Sequence, residues 1–150
     1  MPFNTLPDDF YENNYLFSFD KSKIQIAVVY KYLSEESYWA QRIPLAIVER
    51  SIQNAICLGI YDSQGTQVGF GRMITDQAVF AYLADVFILE PHRGKGLSKT
   101  MVRALCSLAE SFEVRRLMLA TQDAHGLYAQ YGFEPLSHPE RIMGKKGITY

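Results

Sequence analysis

Apolar residues change their spacing several times along the chain, and each change marks an element. Tyr15-Leu-Phe-Ser-Phe-Asp20 alternates aromatic with polar positions and reads as a strand. Residues 24–33 carry two signals. Ile24, Val28 and Tyr32 recur at spacing four and favour a helix, while the β-branched Ile24, Ile26, Val28 and Val29 favour a strand. We read the segment as a helix on its spacing. Pro44 suits the first turn of a second helix, since its missing N–H would go unbonded there, and Ile47, Ile52 and Ile56 continue the apolar side to an end near Asn54. Residues 55–61 and 67–74 then form an antiparallel hairpin about the turn Asp62-Ser-Gln-Gly65. After the turn Thr75-Asp-Gln comes a long strand, residues 78–89, whose apolar second half implies burial in the sheet centre.

The period then lengthens. Leu97, Met101, Ala104, Leu105 and Leu108 give a helix with one buried stripe through Glu110, and Arg116-Leu-Met-Leu-Ala-Thr121 follows as a strand. Strand, helix and strand close as a right-handed parallel unit. Residues 126–131 read as a short helix, and Gly132-Phe133 as the start of the last sheet segment. The sum is an α/β chain, a mixed sheet with helices packed on it.

At 150 residues the chain has the common size of one domain, so residues 1–150 are expected to share one core, with residues 1–14 a loose N-terminal arm. Hydrophobic content of 48% against 21% charged is far from the composition of disordered chains. Fifteen basic residues face sixteen acidic ones, so no overall field favours nucleic acid or a membrane, and the expected partners are small molecules. Cys57 and Cys106 sit in apolar contexts without the short spacing of a zinc or redox pair, and read as buried thiols. No metal is expected. The N-terminus lacks an apolar signal core and no run reaches the ~20 residues that span a bilayer, which points to the cytoplasm.

The segment that carries chemistry is Arg93-Gly94-Lys95-Gly96-Leu97-Ser98, between the long strand and the striped helix. Glycines let the backbone curl so that several N–H groups point at one anion, and the helix N-terminus adds its dipole. The arrangement suits a pyrophosphate, with Arg93 and Lys95 able to add charge-assisted bonds. The spacing fits neither a Walker loop nor a dinucleotide fingerprint. The segment, preceded by Asp85-Val-Phe-Ile-Leu-Glu-Pro91, resembles the Arg/Gln-x-x-Gly-x-Gly/Ala signature of the GCN5-related N-acetyltransferase (GNAT) superfamily. Downstream, residues 121–133, Thr-Gln-Asp-Ala-His-Gly-Leu-Tyr-Ala-Gln-Tyr-Gly-Phe, look like that family's fifth strand and the helix whose tyrosine lies near the coenzyme sulfur. Ser98 departs from the family's Gly or Ala, and Asp123 from its common Asn.

The resemblance implies the family's acyl-CoA N-acyltransferase fold, a central, mostly antiparallel mixed sheet of about 6–7 strands with helices on both faces. It also implies an acetyl-CoA-dependent N-acetyltransferase acting on a primary amine of a small molecule or peptide, by direct attack in a ternary complex. Acetyl-CoA is then held by Val86, Phe87 and Ile88 through their backbone, by Arg93, Gly94, Lys95, Gly96, Leu97 and Ser98, and by Asp123 and Tyr128. Tyr128 matches the tyrosine that protonates or hydrogen-bonds the leaving thiolate. Asp85, just before the carbonyl-binding backbone, is the expected base, with Asp76, Glu90 and His125 as rivals. The aromatic and cationic cluster Tyr38, Trp39 and Arg42, and Arg72 before Asp76, carry no assigned role. A homodimer through the terminal strands stays open. An acyl-CoA-binding module without turnover is the rival function, and a nucleotide-phosphate-binding protein a third.

Overall fold

A computed structural model describes residues 5–150, and two adjacent asparagines shape its first edge. Asn13 and Asn14 both take left-handed backbone angles, φ +53° and +65°, which short polar side chains tolerate and whose twist matches the strands of a tight hairpin. They join β1 (Phe10–Glu12) antiparallel to β2 (Tyr15–Ser18). From Phe10 on, the arm expected to be loose is therefore an edge strand, tied down where Ser18 Oγ donates to Asp9 at 2.5 Å and Arg103 pairs with Glu12 at 2.7 Å. The first four residues of that arm lie outside the described residues.

The sheet continues in chain order through β3 (Ile56–Tyr61), β4 (Gln67–Thr75) and β5 (Phe80–Ile88), all antiparallel, and ends on β6 (Arg116–Leu119), which runs parallel to β5. The expected hairpin and parallel unit are both present. β5 starts two residues later than the apolar pattern suggests, because Asp76 accepts from the N–H groups of Ala78, Val79 and Phe80 and prolongs the turn.

Residues 24–33 are helical, as α1 (Ile26–Lys31), and the chain then widens into a turn over Tyr32–Glu36 closed by the Ser37 N–H on the Tyr32 carbonyl at 2.9 Å. Pro44 lies one residue before α2 (Leu45–Gln53) rather than inside its first turn, and Asn54 caps the end. Val29, Leu33, Val48 and Ile52 from these helices pack on Cys57, Phe70 and Phe87 of one sheet face. The long helix α3 (Leu97–Ser111) covers the other face, where Leu97, Met101, Leu105 and Leu108 meet Leu58, Ile60, Met73 and Leu83. Gly71 permits that close approach, since a Cβ there would stand 2.7 Å from Met101 Sδ.

α4 (His125–Ala129) comes one residue early, and the last sheet segment expected from Gly132-Phe133 does not form: among the described residues no strand follows β6. Phe133 instead packs edge-on against Tyr128, ring centroids 5.8 Å apart, and Pro135 and Pro139 remove ladder donors just beyond.

Cys57 and Cys106 are buried, as their contexts imply, and burial pushes each thiol from 9.0 up to about 11. Raised folded values mean that the unfolded chain ionises first, so this contribution to stability is intact below pH 9 and is lost as pH rises to 11. The melting temperature is expected to fall progressively across that interval. A flat melting temperature through it would mean that both thiols are open to water.

Candidate active site

β5 and β6 pair only from Phe80–Arg116 to Leu83–Leu119, and beyond that point they part. The separation begins at a bulge. Pairing of β4 with β5 passes from Arg72–Ala84 directly to Phe70–Phe87, so Asp85 and Val86 stand opposite the single residue Gly71, and Asp85 has φ +55°. The parted strands open a cleft of about 380 Å³ walled by Tyr38, Trp39, Tyr82, Asp85, Thr121 and Tyr128. A second hollow of about 420 Å³ runs past Tyr32, Phe87, Ile88, Arg93 and Ser98. The two share Tyr38, Trp39, Val86, Asp123, Ala124 and Tyr128, so they form one path from the glycine loop to the cleft.

At the loop end, Gly94 and Gly96 take φ +78° and +76°, and nothing lies within 4 Å of where a Cβ would stand on either. His92 and Arg93 turn their N–H groups back to Leu89 and Glu90. Among the described residues, none of the N–H groups of Gly94, Lys95, Gly96, Leu97 and Ser98 donates to a protein acceptor. Gly96 precedes the first residue of α3, and the buried Leu97 side chain pins the helix start to the core. Five free donors at the positive end of a long helix fit a pyrophosphate.

The two cations of the loop have other partners. Arg93 Nε donates to the Ile88 carbonyl at 2.8 Å and its Nη2 to the Tyr32 hydroxyl at 3.3 Å. Lys95 Nζ donates to the Tyr15 hydroxyl at 3.1 Å and lies 5.6 Å from the centre of that ring. Tyr15 also bonds His92 Nδ1 at 2.8 Å. Both cations thus brace the loop against β5 and the first hairpin.

Tyr128 stands where hollow and cleft meet, buried on α4. Burial, reinforced by Tyr38, Asp123 and Cys106, pushes its phenol up to about 12, so it stays protonated at ordinary pH and keeps a proton to donate. Among the described residues its hydroxyl has no hydrogen-bond partner.

Asp85 also reaches the cleft, but not as a free base. Its Oδ1 accepts from Trp39 Nε1 at 2.7 Å and its Oδ2 from Arg72 Nε at 2.6 Å. Two of its rivals lie elsewhere. Asp76 is spent on the turn, where the N–H groups of Val79, Phe80 and Ala78 hold its carboxyl below the usual value, and Glu90 is exposed past the end of β5. His125 lines an adjoining apolar hollow with Leu117 and Leu136 that shares Thr121 and Tyr128 with the cleft. The aromatic cluster that carried no role is part of the site: the Tyr38 hydroxyl accepts from the Gln122 N–H at 2.8 Å, and Tyr38 packs edge-on against Trp39. Arg42, exposed with φ +64°, is not part of it. No spacing rule could have joined Trp39 to Asp85, because the contact spans 46 positions.

The sequence profile of the Acetyltransferase (GNAT) family matches residues 26–133. This chain belongs to the GNAT family of acetyltransferases. A Gibberella zeae protein named as an acetyltransferase is 31% identical over 145 residues, covering 84% of this chain and 82% of its own. The crystal structure of a GNAT-family protein from Xanthomonas campestris pv. campestris, described as an acetyltransferase, is 44% identical with a TM-score of 0.84, covering 89% of this chain and 93% of that one. At 14% identity a Clostridium acetobutylicum protein crystallised with acetyl-CoA shares the fold, with a TM-score of 0.64 over 83% of this chain and 91% of that one. As a GNAT acetyltransferase the protein is an acyltransferase, and its six-stranded, mostly antiparallel sheet with helices on both faces is the architecture the resemblance implies. No helix among the described residues is long and apolar enough to cross a membrane.

Proposed function

We propose that this GNAT protein transfers the acetyl group of acetyl-CoA to a primary amine of a small molecule or peptide, by direct attack within a ternary complex. The observation that carries this reading is the continuous path from free N–H groups at the start of α3, along the unpaired edge of β5, to a buried phenol at the mouth of a cleft. Acetyl-CoA would supply an activated thioester carbonyl. The N–H groups of Gly94, Lys95, Gly96, Leu97 and Ser98 would hold its pyrophosphate, with Arg93 and Lys95 keeping the loop in shape. Val86, Phe87 and Ile88, left without a β6 partner, offer main-chain groups to the pantetheine arm in the manner of an added strand. Asp123 sits at the junction beside them. Tyr128 donates its proton or a hydrogen bond to the departing thiolate. The amine enters from the cleft side. Two buried free thiols agree with a reducing compartment such as the cytoplasm.

The rival, an acyl-CoA-binding module without turnover, gives no reason for a protonated phenol facing the junction of hollow and cleft. Thiol release measured over a panel of primary amines, with calorimetry for acetyl-CoA, separates the two. Binding with amine-dependent thiol release is expected. Binding without release for any amine would favour the module, and no binding would overturn both.

A further inference from the structure

We propose that Trp39 and Arg72 together hold Asp85 in the left-handed conformation that creates the β5 bulge, making Asp85 a positioning residue for the cleft and not its base. This rests on the acetyl-transfer reading above. Six non-glycine residues among those described have positive φ: Asn13, Asn14, Arg42, Gln77, Asp85 and Glu113. Five lie in turns or just past a helix, where such angles are ordinary, and Asp85 alone lies inside a strand. A strained angle in the middle of a ladder persists only where the surroundings over-determine it.

Here two elements do so from different directions. Arg72 reaches from β4, where it pairs with Ala84, and binds one carboxylate oxygen; the side chains of the pair are only 17% and 9% exposed. Trp39 reaches from the loop after the wide turn and binds the other oxygen. The same loop is fixed to the far wall through Tyr38 and the Gln122 N–H. Asp85 is thereby the point at which the β4 side, the loop and the parted strands of the cleft are tied together. Both of its oxygens accept from protein donors on different elements, so the carboxylate's orientation is fixed from two sides. What the clamp controls is the direction of the main chain at Val86, immediately after the bulge, and hence the edge offered to the pantetheine arm.

Replacing Asp85 by glycine and by alanine separates conformation from proton transfer. Both variants lose the carboxylate and leave Arg72 equally unpaired, but only glycine adopts φ near +55° without a Cβ penalty. A base predicts equal loss in the two. The clamp predicts that Asp85→Gly exceeds Asp85→Ala in kcat/KM by at least about tenfold, equivalent to about 1.4 kcal/mol. Asp85→Asn, which tolerates left-handed angles and can still accept from Trp39, is expected to exceed both. Trp39→Phe should lower kcat/KM in the parent protein and change it less than about twofold in the Asp85→Gly background, where nothing remains to clamp. Rates are taken per folded molecule, from melts of each variant. If the parent turns over and the glycine and alanine variants are equal, the clamp is wrong and acetyl transfer stands. If the parent releases no thiol with any amine, the acetyl-transfer reading fails, and the same glycine-to-alanine ratio in acetyl-CoA affinity then upholds or overturns the clamp.

Discussion

Gly96→Asp is expected to weaken acetyl-CoA binding by about 10²-fold or more while leaving the protein folded. The backbone at Gly96 has φ +76°, an angle aspartate tolerates better than most residues, and a Cβ there meets no atom within 4 Å. A carboxylate at the N-cap of α3 is favourable to that helix, since it accepts from the free N–H groups and complements the dipole. The same features make it an internal competitor: it would take the donors proposed for the pyrophosphate and repel the phosphates as well. Calorimetry with acetyl-CoA beside a thermal melt checks both halves. Unchanged affinity in a folded variant would place the coenzyme elsewhere.

Tyr128→Phe is expected to lower kcat by roughly 10²-fold with little change in acetyl-CoA affinity, because the ring that packs on Phe133 remains and only the hydroxyl goes. With the phenol pushed up to about 12, the parent protein should show no break in its pH–rate profile from this group between pH 6 and 10. A purely structural tyrosine would reverse the pattern, lowering the melting temperature and leaving turnover per folded molecule intact. Unaltered kcat under conditions where chemistry limits the rate would remove Tyr128 from the mechanism and leave the thiolate to depart without it.

The parts of this fold that could be read in advance depend on neighbours in the chain. The stripe of Leu97, Met101, Leu105 and Leu108, the hairpin about Gly65 and the glycines before α3 are local patterns, and the structure bears each of them out. Asn13-Asn14 was also local and legible as a turn, but three residues of β1 are too few to show alternation. What could not be read depends on distant partners. The pairing of Lys95 with Tyr15 spans 80 positions. The bonds from Trp39 and Arg72 to Asp85 come from two other elements. The final strand that the described residues lack is a local matter, since Phe133 packs on Tyr128 five positions earlier and Pro135 and Pro139 remove ladder donors.

The wide turn at Tyr32–Glu36 closes one residue later than an ordinary helical turn. An α-helix advances about 100° per residue, so the extra residue sets the direction in which the chain leaves α1 and brings Tyr38 and Trp39 over the cleft. An in-frame deletion of a single codon in this turn would restore the regular helical period and swing the indole away from the carboxylate, even with every cleft-lining side chain still encoded. In this protein the geometry of the cleft is written partly as a count of residues.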